Sequence, residues 1–358
     1  STRRHHLWIP PAMSIERQDR KSRRPDSLRG ESGLVQRVRR FLRESFPDRS
    51  PHLVVGYSGG RDSLALLLVL RELQRLGSCR VTAVHVDHRL RPDASEAAAR
   101  ALVVAKSLGV TCVLVTADSD LREQASGQGI EDVARRFRYR SLARVLDEVD
   151  GDAVAVGHHQ RDQAETVLLH VLRGSGLAGL RGMEADGTLV LDGPDPVVEI
   201  RVIRPFLHEA PESLEDVVRD SGVPVIEDPT NDTPDFRRNR IRHEVLPLLE
   251  EISPGSVGRL VALADIVRAD DEALDDVAHA LMHRTTDERG RLGWQSVRNA
   301  PLGLQRRVVR HWVHHAGYTG DPGLERVDAV VALANRGVGG RRVEIGGGWS
   351  VGYRSGLL

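Results

Sequence analysis

The chain has 358 residues and a hydrophobic content of 40 %, which suffices for one large core or two ordinary ones. Lysine plus arginine and aspartate plus glutamate both number 51, so a globally basic nucleic-acid binder is excluded and any cationic surface must be local. No apolar run is long enough to span a bilayer and no signal peptide is visible, which excludes a membrane partner and predicts a cytoplasmic protein. Cys79 and Cys112 are too few and too far apart in sequence for a zinc or iron–sulfur set.

The amino-terminal part of the chain divides into a short tail and a longer α/β region. Residues 1–30 are basic and lack apolar periodicity, and we expect them to form a disordered tail. In residues 31–233 helices alternate with buried strands, which we expect at 53–57, 80–86, 111–116 and 153–157. A helix follows the first strand, and further helices begin at Ala94, Ile130 and Asp162. This order predicts an α/β fold in which helices cover both faces of a parallel sheet.

The pattern changes toward the carboxyl terminus. Residues 174–196 are rich in glycine and contain prolines, which predicts a long loop. Residues 234–358 predict a mainly helical domain, with helices over 257–282 and 302–315. Alternation around glycines at 342–351 predicts a closing β-hairpin.

The most informative motif joins a buried strand to an apolar helix, in the order Ser58, Gly59, Gly60, Arg61, Asp62 and Ser63. Glycines permit backbone angles that let amide N–H groups converge on an anion, and the following helix turns its positive end toward the same point. A carboxylate beside a phosphate is repulsive unless a divalent cation lies between them, so Asp62 suggests a Mg²⁺ bridge to a nucleotide. The competing interpretation is a tight turn followed by a capped helix.

Two other phosphate-binding motifs are excluded. A Walker loop needs a lysine before its Ser/Thr, but the sequence has lysine only at positions 21 and 106. Residues 174–179 match GxGxxG, but helical periodicity precedes them where a strand is required, so we interpret them as a flexible loop.

Polar side chains also follow the second and fourth predicted strands, at the sheet edge where ligands of parallel sheets bind. His85 and Asp87 are candidates for framing an adenosine, with a solvated turn as the alternative. After the fourth strand, His159, Asp162 and Glu165 belong to a helix start, where we expect them to orient substrate or carry protons. No third histidine or nearby cysteine completes a zinc set, and an ordinary capped helix is the competing interpretation.

The third predicted helix carries Glu131, Arg135 and Tyr139 at spacings of four residues. Such spacings place side chains on one helix face, and by themselves they predict only a structural contact. Arg135 becomes a catalytic candidate through a resemblance to a known family.

The run Ser-Gly-Gly-x-Asp-Ser resembles the pyrophosphate loop of the ATP-pyrophosphatase superfamily. Further segments resemble one family within it, the tRNA(Ile)-lysidine synthetases, and they follow in order at 85–91, 131–139, 157–166, 173–180 and 238–243. The histidine–aspartate–glutamine segment and the arginine–glycine–serine loop are the family-specific ones. Asp87 and Arg89 depart from the family pattern, in which we expect asparagine and glycine.

This resemblance implies the fold of the adenine nucleotide alpha hydrolases and a two-step ligation. The O2 of the wobble cytidine, in isoleucine tRNA with the anticodon CAU, attacks the α-phosphate of ATP. The ε-amine of L-lysine then displaces AMP at C2, and codon reading changes from AUG to AUA. The resemblance further implies Mg²⁺ at Asp62, a homodimer as one candidate assembly, and catalytic roles for Asp162, Glu165, His159 and Arg135.

We expect tRNA contacts from local concentrations of arginine, namely Arg173, Arg237, Arg238, Arg240, Arg242, Arg306, Arg307 and Arg310. In a chain of zero net charge, such concentrations beside an ATP site favour contact with the phosphate backbone, although a solvated face is the simpler alternative. Two other functions stay open at this point. One is a tRNA thiolase of the same superfamily, and the other is a non-catalytic tRNA-binding protein that kept the fold.

Overall fold

A computed structural model describes residues 33–90, 94–118, 121, 129–191, 196–226 and 236–358, so the predicted tail at 1–30 and the predicted domain boundary at 233 and 234 lie outside the described residues. The helices of the first half are α1 (Gly33–Ser45), α2 (Arg61–Arg75), α3 (Ala94–Ser107), α4 (Ile130–Glu148), α5 (Gln160–Leu172), α6 (Leu177–Leu180) and α7 (Pro211–Ser221). Its strands are β1 (His52–Gly56), β2 (Arg80–Asp87), β3 (Thr111–Thr116), β4 (Ala153–Ala155), β5 (Asp186–Leu191) and β6 (Val198–Ile203).

These six strands form one sheet in the order β3-β2-β1-β4-β6-β5. All neighbouring pairs are parallel except β5 and β6, which are antiparallel. Successive side chains of a strand face opposite sides, so Leu53 and Val55 join the core under α1 and α2, whereas Val54 joins the core under α4. The sheet is therefore buried on both faces, as the alternation of strands and helices predicts.

The prediction of one long loop at 174–196 is wrong, because this segment contains α6 and β5. The next strand, β6, was not predicted either. Its alternating Val198, Ile200 and Val202 carry the signal, and all three pack on the α4 side of the sheet. Gly174, Gly176 and Gly182 lie in the turns around α6, whereas Gly187 lies within β5.

The second half is mainly helical. It contains α8 (Phe236–Arg240), a π-helical turn (Ile241–Val245), α9 (Leu246–Ile252), α10 (Ser256–Thr285), α11 (Trp294–Val297), α12 (Leu302–His315), α13 (Gly323–Arg336), β7 (Arg342–Gly346) and β8 (Trp349–Gly352). The predicted helices at 257–282 and 302–315 and the predicted hairpin are confirmed, whereas α13 was not predicted. None of the helices in the described ranges has the length and apolar character that a bilayer crossing requires.

The long helix α10 has 30 residues and touches two separate cores. Near its start, Val257 and Leu260 pack against Ala164 and Leu169 of α5. Near its end, Ala278 and Met282 belong to a second core that α12, α13 and the hairpin complete. The helix thus connects the carboxyl-terminal core to the helix that follows β4.

Candidate active site

The phosphate-loop motif forms the turn between β1 and α2. Gly59 has φ 90°, in the left-handed region that glycine adopts at low cost. The Ser58 and Ser63 hydroxyl oxygens lie 3.0 Å apart, and Ser63 Oγ donates to the carbonyl of Gly60 at 2.9 Å. Gly60 provides no side-chain cap for α2, so the N–H groups of the first helical turn are available to an anion.

Two close approaches around this loop require glycine. A Cβ on Gly59 would lie 2.9 Å from the side chain of Ile226, and a Cβ on Gly157 would lie 2.9 Å from the carbonyl oxygen of Asp62. Gly157 follows β4, so its missing side chain lets the starts of α2 and α5 meet. The sequence analysis did not assign this packing role to Gly157, because only the contact in space reveals it.

The start of α5 is fixed by a reciprocal capping box. His159 Nδ1 accepts from the N–H of Arg161 at 3.1 Å, and Asp162 Oδ2 accepts from the N–H of His159 at 3.0 Å. Because Nδ1 is an acceptor, the neutral imidazole carries its proton on Nε2. Nε2 lies 3.7 Å from Asp62 Oδ2 and 3.6 Å from Asp162 Oδ2, so His159 stands between the two aspartates.

The two aspartates have opposite electrostatic environments. Removal from solvent raises the pKa of the Asp62 carboxyl, and repulsion from Asp162 adds to this while His159 opposes it. Burial also acts on Asp162, but His159, His158 and Arg242 outweigh it and the net effect lowers the pKa of Asp162. Asp162 is therefore firmly ionised, whereas Asp62 is a carboxylate that an added cation would stabilise.

Glu165 is fully buried and held by two arginines. Arg238 Nε donates to Glu165 Oε2 at 2.9 Å, and Arg242 donates to both oxygens of Glu165, with Nη2 at 3.0 Å from Oε2. Arg242 Nη2 also donates to Asp162 Oδ1 at 3.0 Å. This corrects the expected orientation of both arginines, which were predicted to face tRNA but in fact bind the carboxylates of α5. The electrostatic attraction of two opposite charges, one of them buried, explains the difference.

The end of β2 lies beside the phosphate loop. His85 Nδ1 is 2.9 Å from the carbonyl oxygen of Tyr57, and burial lowers the pKa of His85. Asp87 is buried, and its Oδ1 accepts from the N–H of Arg89 at 2.8 Å. Arg89 has φ 53°, a backbone conformation that favours glycine. The hydrogen bond that the N–H of Arg89 donates to Asp87 supports the turn at the position where the family pattern led us to expect glycine.

His158 has two arginine neighbours, Arg204 and Arg135, of which only Arg135 was predicted to belong to the site. Burial lowers the pKa of His158 to about 3, with Asp162 opposing and Arg204 and Arg135 adding to the effect. Within the described ranges no group hydrogen-bonds to His158 Nδ1, which is buried. Arg204 is buried and donates to the carbonyl of Glu184 at 2.6 Å. Arg204 was not predicted, because a lone arginine after a strand carries no distinctive pattern.

Arg135, the second of these neighbours, belongs to α4. Its guanidinium carbon lies 4.9 Å from the ring centroid of Tyr139, which is buried. Arg135 therefore belongs to the same charged neighbourhood as His158 and Arg204.

Two further predicted binding arginines have acidic partners. Arg61 of the phosphate loop forms an ion pair with Glu215 of α7. Arg307 binds Asp271 and Asp275 of α10, and the Asp271 side chain is only 1 % exposed. Arg307 was predicted to contact tRNA, but the structure places it in a buried ion-pair cluster between α10 and α12.

The other predicted tRNA contacts lie at or near the surface. Arg306 bonds to Asp328 at 2.6 Å, Arg310 lies 3.7 Å from Asp321, and Arg240 lies 2.9 Å from Glu244. Arg173, at the end of α5, and Arg237, in α8, are exposed. These five arginines remain candidates for contact with phosphate.

Neither cysteine lies in the phosphate loop or at the start of α5. Cys79 precedes β2 and Cys112 lies at the start of β3, whereas the phosphate loop follows the end of β1. Burial raises the pKa of Cys79 to about 12 and that of Cys112 to about 11, so both stay protonated thiols. The described part of the chain contains no group of three or more acidic, histidine or cysteine side chains that could hold a metal ion by itself.

Comparisons with known proteins agree with this geometry. The model of the PP-loop domain family ATP_bind_3 matches residues 31–249. The chain is 38 % identical over 319 residues to the tRNA(Ile)-lysidine synthase of Rhodococcus erythropolis, covering 88 % of this chain and 89 % of that protein. It is 35 % identical over 314 residues to the Nocardia farcinica enzyme of the same name, covering 87 % of this chain and 90 % of that protein.

Two more similarities concern length and fold. The tRNA(Ile)-lysidine synthase of Symbiobacterium thermophilum is 33 % identical over 335 residues, and the match covers 87 % of this chain but 66 % of that longer protein. Among solved structures, the U34-tRNA thiolase NcsA of Methanococcus maripaludis superposes with a TM-score of 0.52 at 19 % identity, covering 66 % of this chain and 79 % of that chain. At this identity the likeness concerns the fold alone.

Proposed function

The chain belongs to the tRNA(Ile)-lysidine synthase family of PP-loop proteins, and we propose that it joins L-lysine to C2 of the wobble cytidine of isoleucine tRNA with the anticodon CAU. ATP is converted to AMP and pyrophosphate, and the product nucleoside is lysidine. The observation that carries this proposal is the meeting of a phosphate loop and two aspartates around His159 at one sheet edge. The phosphate loop can bind the nucleotide that is activated, and the aspartates can bind an amine. The reaction needs both of them side by side.

ATP is the substrate that the phosphate loop accepts. Amide groups of Gly59 and Gly60 and the hydroxyls of Ser58 and Ser63 line the turn in which the phosphates lie. Arg61 stays at the rim of this turn through its pair with Glu215. His85 and Asp87, on the neighbouring strand end, contribute to the adenosine side of the site.

The residues present fit a Mg²⁺ ion that also binds the phosphates. The Asp62 carboxylate is half-exposed and has a raised pKa, so a divalent cation would stabilise its ionised form. Mg²⁺ in nucleotide sites commonly binds one or two carboxylates plus substrate phosphates and waters, which agrees with a single aspartate here. When bound, the ion would neutralise charge on the pyrophosphate leaving group.

The reaction proceeds in two displacements. The cytidine O2 forms a bond to the α-phosphorus, and the bond to the bridging oxygen of pyrophosphate breaks. The lysine ε-amine then bonds to C2, the C2–O2 bond breaks, AMP leaves with that oxygen, and the amine gives up a proton. Asp162 is ionised and lies 3.6 Å from His159 Nε2, so we assign it the binding and orientation of the amine. Glu165, with both oxygens bonded to arginines, positions Asp162 through Arg242.

The substrate tRNA would lie along the surface arginines Arg173, Arg237, Arg240, Arg306 and Arg310. The cytoplasm is the expected location, and a homodimer is one candidate assembly, which sedimentation of the purified protein tests. Arg135 supports the site through its contact with the ring of Tyr139.

The direct test incubates the protein with ATP, lysine and unmodified isoleucine tRNA and identifies the wobble nucleoside by mass spectrometry. Lysidine should form, with one AMP and one pyrophosphate released for each lysine attached. Methionine tRNA, which also carries a CAU anticodon, is the matched control and should stay unmodified. Unchanged cytidine in the isoleucine tRNA, under conditions in which the protein binds ATP, would contradict the proposal.

Replacing both cysteines separates this function from that of a tRNA thiolase. Sulfur transfer in the rival family depends on cysteines, whereas lysidine formation needs no thiol. The Cys79→Ala/Cys112→Ala protein should therefore keep lysine-dependent AMP release, and lose about 1–2 kcal/mol of stability from the altered packing. Loss of all activity in a folded double variant, or gain of sulfur by the tRNA in place of lysine, would favour the thiolase.

A further inference from the structure

The carboxylates at the start of α5 already hold a cation that belongs to the protein. Arg242 lies across Asp162 and Glu165, with Nη2 at 3.0 Å from one oxygen of each. Arg238 Nε also donates to Glu165 Oε2, at 2.9 Å. The second oxygen of Asp162 accepts from the N–H of His159. Asp162, the carboxylate to which we assign binding of the substrate amine, is thus already bound by the guanidinium of Arg242.

A guanidinium and an ammonium are alternative donors for the same carboxylate oxygens. Glu165 is 0 % exposed and Asp162 is 11 % exposed, whereas the side chain of Arg242 is 31 % exposed. The two arginines are therefore the members of the cluster that another molecule can reach, and Arg242 is the one that hydrogen-bonds to Asp162. Arg242 also lies in the π-helical turn, an uncommon geometry that is frequent at functional sites.

We propose that Arg242 fills the ammonium position of the active site in the free protein and that lysine binds Asp162 only after Arg242 has left it. The inference rests on the proposed function, because it takes lysine as the incoming amine. Arg237 and Arg240 lie on the same segment and are exposed, so tRNA phosphates that approach them also approach the guanidinium of Arg242. Binding of tRNA would then free the carboxylate for the amine, and lysine would bind weakly in its absence.

Lysine affinity in the absence of tRNA tests this contact. We would titrate L-lysine calorimetrically into the wild-type protein, Arg242→Gln and the control Arg291→Gln, which removes an arginine paired with Asp287 outside the site. Loss of the competing cation should lower the Kd for lysine by about tenfold in Arg242→Gln only, which corresponds to ~1.4 kcal/mol. L-norleucine, which has the same chain length but no ε-ammonium, should show no gain. An unchanged or weaker lysine affinity in Arg242→Gln would overturn the proposal.

A second measurement uses the wild-type chain, in case Arg242→Gln does not fold. The ¹⁵N resonance of Arg242 Nε, assigned by its loss in Arg242→Lys, should shift when saturating lysine and the anticodon stem-loop are added together. A resonance that stays unchanged on saturation would equally overturn the proposal. Failure of the proposed function is distinguishable, because it appears as the absence of lysidine in the product assay whatever the lysine affinity of the variants.

Discussion

Two clusters in this protein have nearly the same composition but different surroundings. In each, one arginine bridges two carboxylates: Arg242 does so in the first, and Arg307 binds Asp271 and Asp275 in the second. Each contains one carboxylate that is almost wholly buried. The first cluster lies beside the phosphate loop and Asp62. The second lies between two packed helices, and its Asp275 Oδ1 is also 3.0 Å from His311 Nε2.

The difference shows what separates a reactive site from a structural ion pair. Buried carboxylates with arginine partners occur in both clusters, so paired charge by itself indicates nothing about chemistry. The first cluster adds a third carboxylate, Asp62, that is half-exposed and has a raised pKa. A surplus of negative charge that is exposed to solvent can bind a cationic or metal-bound substrate. In the second cluster two arginines balance the two carboxylates, because Arg181 also lies 3.6 Å from Asp271.

The strongest test of this comparison breaks the second cluster. Arg307→Gln should lower the free energy of unfolding by about 2 kcal/mol, because the buried Asp271 loses its hydrogen-bonded guanidinium partner and keeps only Arg181, 3.6 Å from its Oδ2. Urea unfolding followed by circular dichroism measures this, and Arg291→Gln, which breaks an exposed pair, should change stability by less than about 1 kcal/mol. Equal effects of the two substitutions would show that the second cluster does not stabilise the fold.

Asp62→Asn should affect activity and leave stability nearly unchanged. The side chains have similar size, but the amide cannot supply the negative charge, and loss of one electrostatic contact of this kind typically costs ~3 kcal/mol in the transition state, or about a hundredfold in rate. Pyrophosphate release with saturating ATP and tRNA is the measurement. If Asp62→Asn released pyrophosphate at a near-normal rate, the surplus charge in the first cluster would have no catalytic part.

His158 should make the stability of the first cluster depend on pH. Its pKa is lowered from 6.5 to about 3 in the folded protein, so the unfolded chain binds a proton first as the pH falls. The contribution of His158 is complete above pH 6.5 and is lost progressively as the pH falls from 6.5 toward 3, by at most about 1.4 kcal/mol per pH unit. His158→Gln should remove this slope from the unfolding free energy measured between pH 6.5 and 5. Identical slopes in both proteins would mean that the imidazole is not kept neutral.

The smallest expected effect concerns the exposed arginines. Arg240 lies outside both clusters, and Arg240→Gln should weaken tRNA binding modestly and reduce the slope of log K against log salt by about 0.7–0.9, the value for one phosphate contact. Filter binding at several salt concentrations measures the slope. An unchanged slope would remove Arg240 from the tRNA surface.

Much of the first cluster could be predicted from the sequence, because its parts lie in short contiguous motifs. Ser58 to Ser63 and His159 to Glu165 each follow a strand of a parallel sheet, and this topology brings strand ends together at one edge. The β-strands and helices up to α5 were equally regular in their periodicity. The mixed edge of the sheet was missed, since the glycines and prolines of 174–196 were taken as evidence of a loop, although a strand can contain a glycine, as β5 does at Gly187.

The partners of the arginines could not be predicted, because they are distant in the chain. Glu165 and Arg242 are 77 residues apart, and Arg307 and Asp271 are 36 apart. A run of arginines looks the same in sequence whether it faces solvent, a carboxylate or a phosphate. Whether an arginine contacts solvent, a carboxylate or a phosphate depends on how the helices pack, here on how α10 packs against α5 at one end and against α12 at the other.

The shared helix α10 also bears on how the molecule loses its structure. One continuous helix of 30 residues supplies side chains to two cores. If either core unfolds, the part of the helix packed in that core loses its apolar contacts, and this destabilises the same helix where the other core needs it. The two cores are joined by helical backbone and not by a flexible linker. Unfolding of the helix that begins in one core therefore meets no boundary before it reaches the other. The two halves are therefore expected to unfold as one cooperative system, with the site at their junction lost in the same transition.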